Sequence, residues 1–187
     1  QDDDVALPTA DLLAYESFLL GKHHYRQSTP DDLQLSVQHF EAAVRRDPEF
    51  SYAWDWLAYA WNDAGVQQVW TTPSEAYPRA RAAAVRALEL EPGLATSRAL
   101  LAYLRAVFDW EWDAALLDLE RAARADPTDS GTVWSFGFVL ALVGRHEEAI
   151  DEVERLADSS AEEPRLRQQV AYRLIDAGRY PEAIAAG

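Results

Sequence analysis

The 187-residue chain has no cysteine, carries 17 lysines and arginines against 32 aspartates and glutamates, and its longest apolar run is VWSFGFVLALVG, Val133 to Gly144. Each shortage excludes something. Without cysteine there are no disulfides and no thiolate zinc sites, while the compartment stays open, since a cysteine-free chain is stable in cytosol or periplasm alike. The net charge of −15 repels the phosphate backbone of nucleic acid and, equally, an anionic membrane surface. A bilayer span needs about 20 apolar residues, so the Val133–Gly144 run reads as a buried helix. Neither a nucleic-acid partner nor membrane insertion is expected.

Catalytic signatures are missing as well. The histidines are His23, His24, His39 and His146, and none forms the H-x3-H pair that presents two imidazoles on one helical face to a metal. No G-x-S-x-G, phosphate loop, G-x-G-x-x-G or paired-cysteine motif occurs. Asp2, Asp3 and Asp4 are consecutive, whereas calcium loops alternate ligands with spacers, so residues 1–10 read as a solvated tail or linker. The acidic run EEAIDEVE keeps Ala149, Ile150 and Val153 at helical spacing, the pattern of a solvated outer helix. The chain is expected to be no enzyme and to hold no cofactor or metal. It ends on YPEAIAAG, a turn or two into a new helix, and is expected to be a piece of a longer protein. The apolar face of that last helix would be covered by continuing chain or by a second copy, giving a homo-oligomer through the terminal units.

What is present is repetition. GRHEEAI begins at Gly144 and GRYPEAI at Gly178, 34 residues later. Acidic-proline pairs stand at Asp47-Pro48, Glu91-Pro92, Asp126-Pro127 and Glu163-Pro164, at intervals of 44, 35 and 37 residues. Proline cannot continue a helix and biases its predecessor away from helical angles, so each pair separates two helices. No stretch between them alternates with the period of a strand. In WDWLAYAW, Trp54, Leu57, Ala58 and Trp61 share one helical face, and a bulky-then-small pair recurs at Leu20-Gly21, Leu101-Ala102 and Phe136-Gly137. Each is followed by a second helix with small and bulky residues interleaved: Ser36, Phe40, Ala43; Ala80, Ala84, Ala87; Ala115, Leu119, Ala122; Ala149, Val153, Leu156. Small residues let helices approach and the bulky ones fill the space between.

In these residues the chain resembles the tetratricopeptide repeat (TPR) family, whose 34-residue helix-turn-helix unit carries W-x2-L-G-x2-Y, A-x3-F and a closing proline. The resemblance implies an all-α fold, a right-handed superhelix (α-solenoid) of about four and a half units. The repeat domain would span 11–187, with units at about 11–48, 51–92, 94–127, 130–164 and an incomplete 166–187. Gly144 and Gly178 would sit in inter-helix turns that need left-handed angles. Departures mark the other turns. Thr29 and Thr72 precede Pro30 and Pro73 as expected N-caps, VQQVWTTPSE lengthens the second unit as a longer loop or an extended first helix, and DWEWDAA puts Trp110 and Trp112 into a turn without glycine. The order of AYESFLLG, TPDDL, FEAAVRRDP, ARAAAVRALELEP and FDWEWDAA further resembles the C-terminal repeat segment of bacterial membrane-anchored winged-helix regulators and class III nucleotide cyclases. That resemblance implies a sensor or protein-contact role, with the periplasmic side of a membrane-anchored regulator favoured over the cytoplasm.

In such repeats the first helix of each unit lines a concave groove. Following the small residue stand Lys22, Tyr59, Tyr103, Phe138 and Tyr172, a ladder joined by Tyr15, Phe18, Tyr25 and Arg26 on the first helix, by Tyr52, Asp55 and Asn62 in the second unit and by Trp134 in the fourth. These thirteen residues are the candidate docking surface for a protein or peptide, since exposed rings offer large contact area at low entropy cost. The competing reading is that the rings pack on one another and close the groove. With only Lys22 and Arg26 basic on this stripe, a clamp for a terminal carboxylate is disfavoured. A further alternative is a small-ligand sensor in which the loop bearing Trp70 folds over the groove.

Overall fold

The computed structural model describes residues 8–27, 29–68, 70–125, 128–159 and 164–186. The acidic tail at Asp2, Asp3 and Asp4, the Asp126-Pro127 pair and Glu163 lie outside the described residues. Ten helices and no strand are found among the described residues: α1 (Leu12–Gln27), α2 (Pro30–Arg46), α3 (Ser51–Gln67), α4 (Pro73–Leu90), α5 (Ala95–Val107), α6 (Trp112–Ala125), α7 (Ser130–Leu142), α8 (His146–Ser159), α9 (Pro164–Asp176) and α10 (Tyr180–Ala186). They group into two compact units, Gln1–Ser97 and Arg98–Gly187, with the division inside α5.

In the first unit each helix packs on the next from α1 to α4, and α1 also meets α3. Local chemistry explains the boundaries. Thr29 caps α2 by accepting from the Asp32 amide at 3.2 Å, with Pro30 opening the helix. Glu75 reaches back to the Thr72 amide at 3.2 Å in a capping box that starts α4. Asp47 and Glu91, extended at φ −127° and −138°, end α2 and α4 one residue before a proline. Of the two forms expected for the lengthened second unit, the extended first helix is seen: α3 runs on to Gln67 and left-handed Gln68 (φ 53°) stops it. Within the expected tail Thr9 is not solvated but buried, donating to Asp47, and Asp11, where the repeat domain begins, caps α1 by accepting from the Leu13 and Ala14 amides.

Packing follows the small-residue logic. Ala58 on α3 and Ala76, Ala80, Ala84 and Ala87 on α4 are wholly buried, so the two helices approach on alanine. Gly21 on α1 admits the Phe40 ring of α2 so closely that an added Cβ would lie 2.6 Å from two ring carbons.

In the second unit α6 to α10 pack in sequence and α7 also meets α9. Val133, Ile150, Val153, Leu156, Val170, Leu174 and Ala183 form its core. The duplicated GR-x2-EAI sentence is explained residue by residue. Gly144 and Gly178 take φ +82° and +74°, and the following arginine amides reach back to Leu140 O (2.9 Å) and Leu174 O (2.8 Å), closing α7 and α9 with Schellman turns. Each arginine side chain then grips the glutamate three residues on with two nitrogens, Arg145 with Glu148 and Arg179 with Glu182, which holds both carboxyls below their ordinary range. The alanines, Ala149 and Ala183, are buried in both copies, whereas Ile150 is buried and Ile184 is exposed. The turn between α5 and α6 lacks glycine, and Trp110 adopts φ 64° there.

Candidate functional site

In the first unit the rings of α1 and α3 meet around one cation. Lys22 Nζ lies 4.9 Å from the Trp56 ring centroid and 5.5 Å from that of Phe18. Burial, and secondarily the charge of Arg26, pull its ammonium below the ordinary lysine value. Lys22 is the chain's only lysine. Tyr25 meets Trp56 edge to face at 5.4 Å, and Tyr15 stacks beside Phe18 at 6.2 Å. Tyr15, Lys22, Tyr25, Trp56 and Tyr59 are half-buried, while Arg26 and Tyr52 are exposed. Phe18 is instead a core ring, buried against Phe40 and Phe50.

Trp56 escaped the sequence reading, although residues 52, 56, 59 and 63 follow helical spacing and mark the face of α3 that carries Tyr52, Tyr59 and Asp63. Asp55 and Asn62 were expected on that face and are not: both are buried. Asp55 accepts from Thr96 Oγ1 at 2.9 Å and Ser97 Oγ at 2.5 Å, which fastens α3 to the first turn of α5. Tyr59 serves the same join, donating to the Thr96 carbonyl at 3.1 Å. Asn62 donates to Asp63 at 3.3 Å.

Asp63 also accepts from the Tyr25 hydroxyl at 2.5 Å. Burial pushes its carboxyl up from 3.8, and the bonds from Tyr25 and Asn62 offset part of this. An acid whose folded value exceeds its unfolded one stabilises most while protonated, so its contribution falls as pH rises from 3.8 through the raised value. Asp63→Asn is therefore expected to gain stability over the native chain at neutral pH and to lose that advantage below about pH 4. Urea denaturation across a pH series checks this; a difference that does not change with pH would contradict it.

In the second unit the rings close on themselves. Tyr103 is buried, with centroids 5.3 Å from both Trp134 and Phe138, which stack on each other at 5.5 Å. The competing reading of the ladder thus holds for Tyr103, which is a packing residue rather than part of a docking surface. On α9 it is Arg173, and not the expected Tyr172, that joins the cluster: its guanidinium sits 5.4 Å from the Phe138 ring and its Nη1 3.2 Å from Asp176. Tyr172 is exposed and accepts from Gln168 at 3.1 Å. The helix rotation that buries Leu174 and Val170 in the core aligns 173, not 172, with Phe138.

Among the described residues no group of three or more His, Asp or Glu is arranged to hold a metal ion, and no helix is long and apolar enough to cross a membrane. His24 stacks on His39 at 5.4 Å and pairs with Asp32 at 2.9 Å, a contact between α1 and α2.

No family model and no curated protein matches the chain. Solved structures do. The chain superimposes on TTC0263, a thermophilic TPR protein of Thermus thermophilus, with a TM-score of 0.72 at 21% identity, covering 92% of this chain and 87% of that one. PilW, a type IV pilus biogenesis factor, gives 0.65 at 18% identity over 95% and 76% of the two chains. MamA from Desulfovibrio magneticus RS-1 gives 0.55 at 15% identity over 95% and 93%. At these identities the likeness is one of fold: consecutive helical hairpins of the tetratricopeptide type, an α-solenoid.

Proposed function

We propose that the chain is a non-catalytic protein-interaction module that holds a partner segment against the α1–α3 face of its first unit. The observation that carries this reading is the chemistry of that face: Lys22 over the Trp56 ring and beside Arg26, two cations on a chain of net charge −15, with Tyr25 edge-on to Trp56 and with Tyr52 and Tyr59 within about a turn of Trp56 on α3. Partly exposed rings beside cations supply the anchors that concentrate binding energy at protein interfaces. The complementary partner is a segment with aromatic or aliphatic anchors and one or two carboxylates. The likeness in fold to TTC0263 and PilW fits a scaffold role. The resemblance to C-terminal segments of bacterial regulators would put the module beside an effector domain, on the periplasmic side of the membrane.

The test is a peptide-display selection on the whole chain, followed by affinities for Arg26→Glu and Tyr52→Ala. Both residues are exposed, so melting temperatures should hold. Each substitution should weaken the selected peptides about five- to tenfold. Peptides that bind both variants as tightly as the native chain would refute this surface. Substitutions at Tyr59 and Tyr103 are unsuitable for the purpose, because the first holds Thr96 and the second lies in a ring cluster.

A further inference from the structure

The turn between α5 and α6 displays its large rings. In FDWEWD, Trp110 is 71% exposed and Phe108 and Trp112 are each 40% exposed. Trp110 holds a left-handed φ of 64°, where a tryptophan is strained and glycine would be at ease. The two indoles stand 5.8 Å apart and tilted by 56°, forming a wedge. Beside them lies an open pocket of about 320 Å³ lined by Trp110, Glu111, Trp112, Asp113 and Ala114. The wedge is built rather than loose: Trp112 Nε1 donates to Ala106 O at 3.1 Å, and the Glu111 amide donates to Arg105 O at 3.1 Å.

We infer that this wedge receives an arginine side chain from a basic partner peptide. Two indole faces attract a cation more strongly than any other ring, and two carboxylates at the rim add charge of the right sign. Glu111 already faces Arg105 Nε at 3.4 Å, whereas the Asp113 carboxylate has no partner among the described residues. Among the described residues no cation lies over Trp110 or Trp112. A purely apolar partner would desolvate both acids without return, and an anion would be repelled by them and by the chain's charge of −15. Guanidinium suits the open geometry better than ammonium, because it is planar, stacks on one indole and donates in its own plane to a carboxylate. The chain uses this pairing elsewhere, with Arg79 over Trp61 at 4.6 Å and Arg173 over Phe138 at 5.4 Å. This inference does not rest on the α1–α3 docking surface.

The experiment follows the seven tryptophan indole N–H signals of the nitrogen-labelled whole chain while a Gly-Arg-Gly-Arg-Gly peptide is added. The signals of Trp110 and Trp112, assigned by Trp110→Gly and Trp112→Phe, should shift. The peptide with citrulline for arginine, equally planar but uncharged, should bind about tenfold more weakly. Asp113→Asn should weaken the arginine peptide about threefold, and Trp110→Gly should abolish its effect at Trp112. Trp110→Gly removes an exposed ring and the strain together, so the fold should persist, as far-UV circular dichroism would show. Equal binding of the citrulline peptide overturns the inference, as does equal binding of a lysine peptide. Shifts confined to other tryptophans, Trp56 among them, overturn it as well.

Discussion

Phe40→Ala should lower the unfolding free energy by about 3–5 kcal/mol, the range for emptying a fully enclosed phenylalanine site. Phe40 is 0% exposed, its ring touches Phe18 and Trp56 at centroid distances of 6.0 Å each, and its edge faces the bare Cα of Gly21. One ring thus joins α1, α2 and α3, and no neighbour can collapse into its place without leaving another contact. The same geometry predicts a change of sign. Gly21→Ala alone should destabilise by about 1–3 kcal/mol, since its methyl would lie 2.6 Å from two ring carbons and both backbones are held by packing. In the Phe40→Ala background the clash is gone, and the better helix propensity of alanine should make the same change stabilising by up to about 1 kcal/mol. Urea denaturation of the four proteins of this cycle, followed by circular dichroism, measures the coupling. Additive effects would mean that the glycine and the ring do not meet.

Asp55→Ala should cost about 2–4 kcal/mol, a large loss for a residue that the sequence alone places on a solvent-facing stripe. Its carboxylate accepts from Thr96 and Ser97, and Ser97 is itself 0% exposed. Removing the acceptor leaves a buried hydroxyl without its partner, which is worse than removing both groups. Adding Ser97→Ala to Asp55→Ala should therefore restore part of the loss, about 1 kcal/mol. Equilibrium unfolding of the single and double variants decides this: a cost for Asp55→Ala below about 0.5 kcal/mol, typical of surface changes, would show the carboxylate to be solvated in solution.

The features legible in the sequence are those set by forces acting within a turn or two of chain. Proline after an acid ends α2 and α4, threonine before proline starts α2 and α4, and glycine at 144 and 178 takes the left-handed angle that a side chain resists. The residues GR-x2-EA write a complete turn and helix start, including the Arg–Glu grip, and so could be read twice without any structure. The apolar period marks Trp54, Leu57, Ala58 and Trp61 as packing residues, and the last three are buried because burial repeats with the helix, whereas Trp54 is only half-buried, its Nε1 donating to Pro48 O at 3.0 Å.

The candidate site was legible only to within one residue. Successive helical side chains are about 100° apart, so Asp55 and Trp56, or Tyr172 and Arg173, fall on adjacent faces, and each could border the same surface. Which of them does so depends on how far the neighbouring helices roll the element, and that is settled by partners distant in sequence: Thr96 and Ser97 claim Asp55, Lys22 and Tyr25 claim Trp56, and Phe138 claims Arg173. The closing of Tyr103 against Trp134 and Phe138 likewise needs α5 and α7 side by side. The sequence by itself determined the helices, their ends and the repeating hairpin, because backbone angles and apolar periodicity are local. Only the tertiary structure decided which rings stay available and which close on one another, because that outcome rests on contacts between residues tens of positions apart.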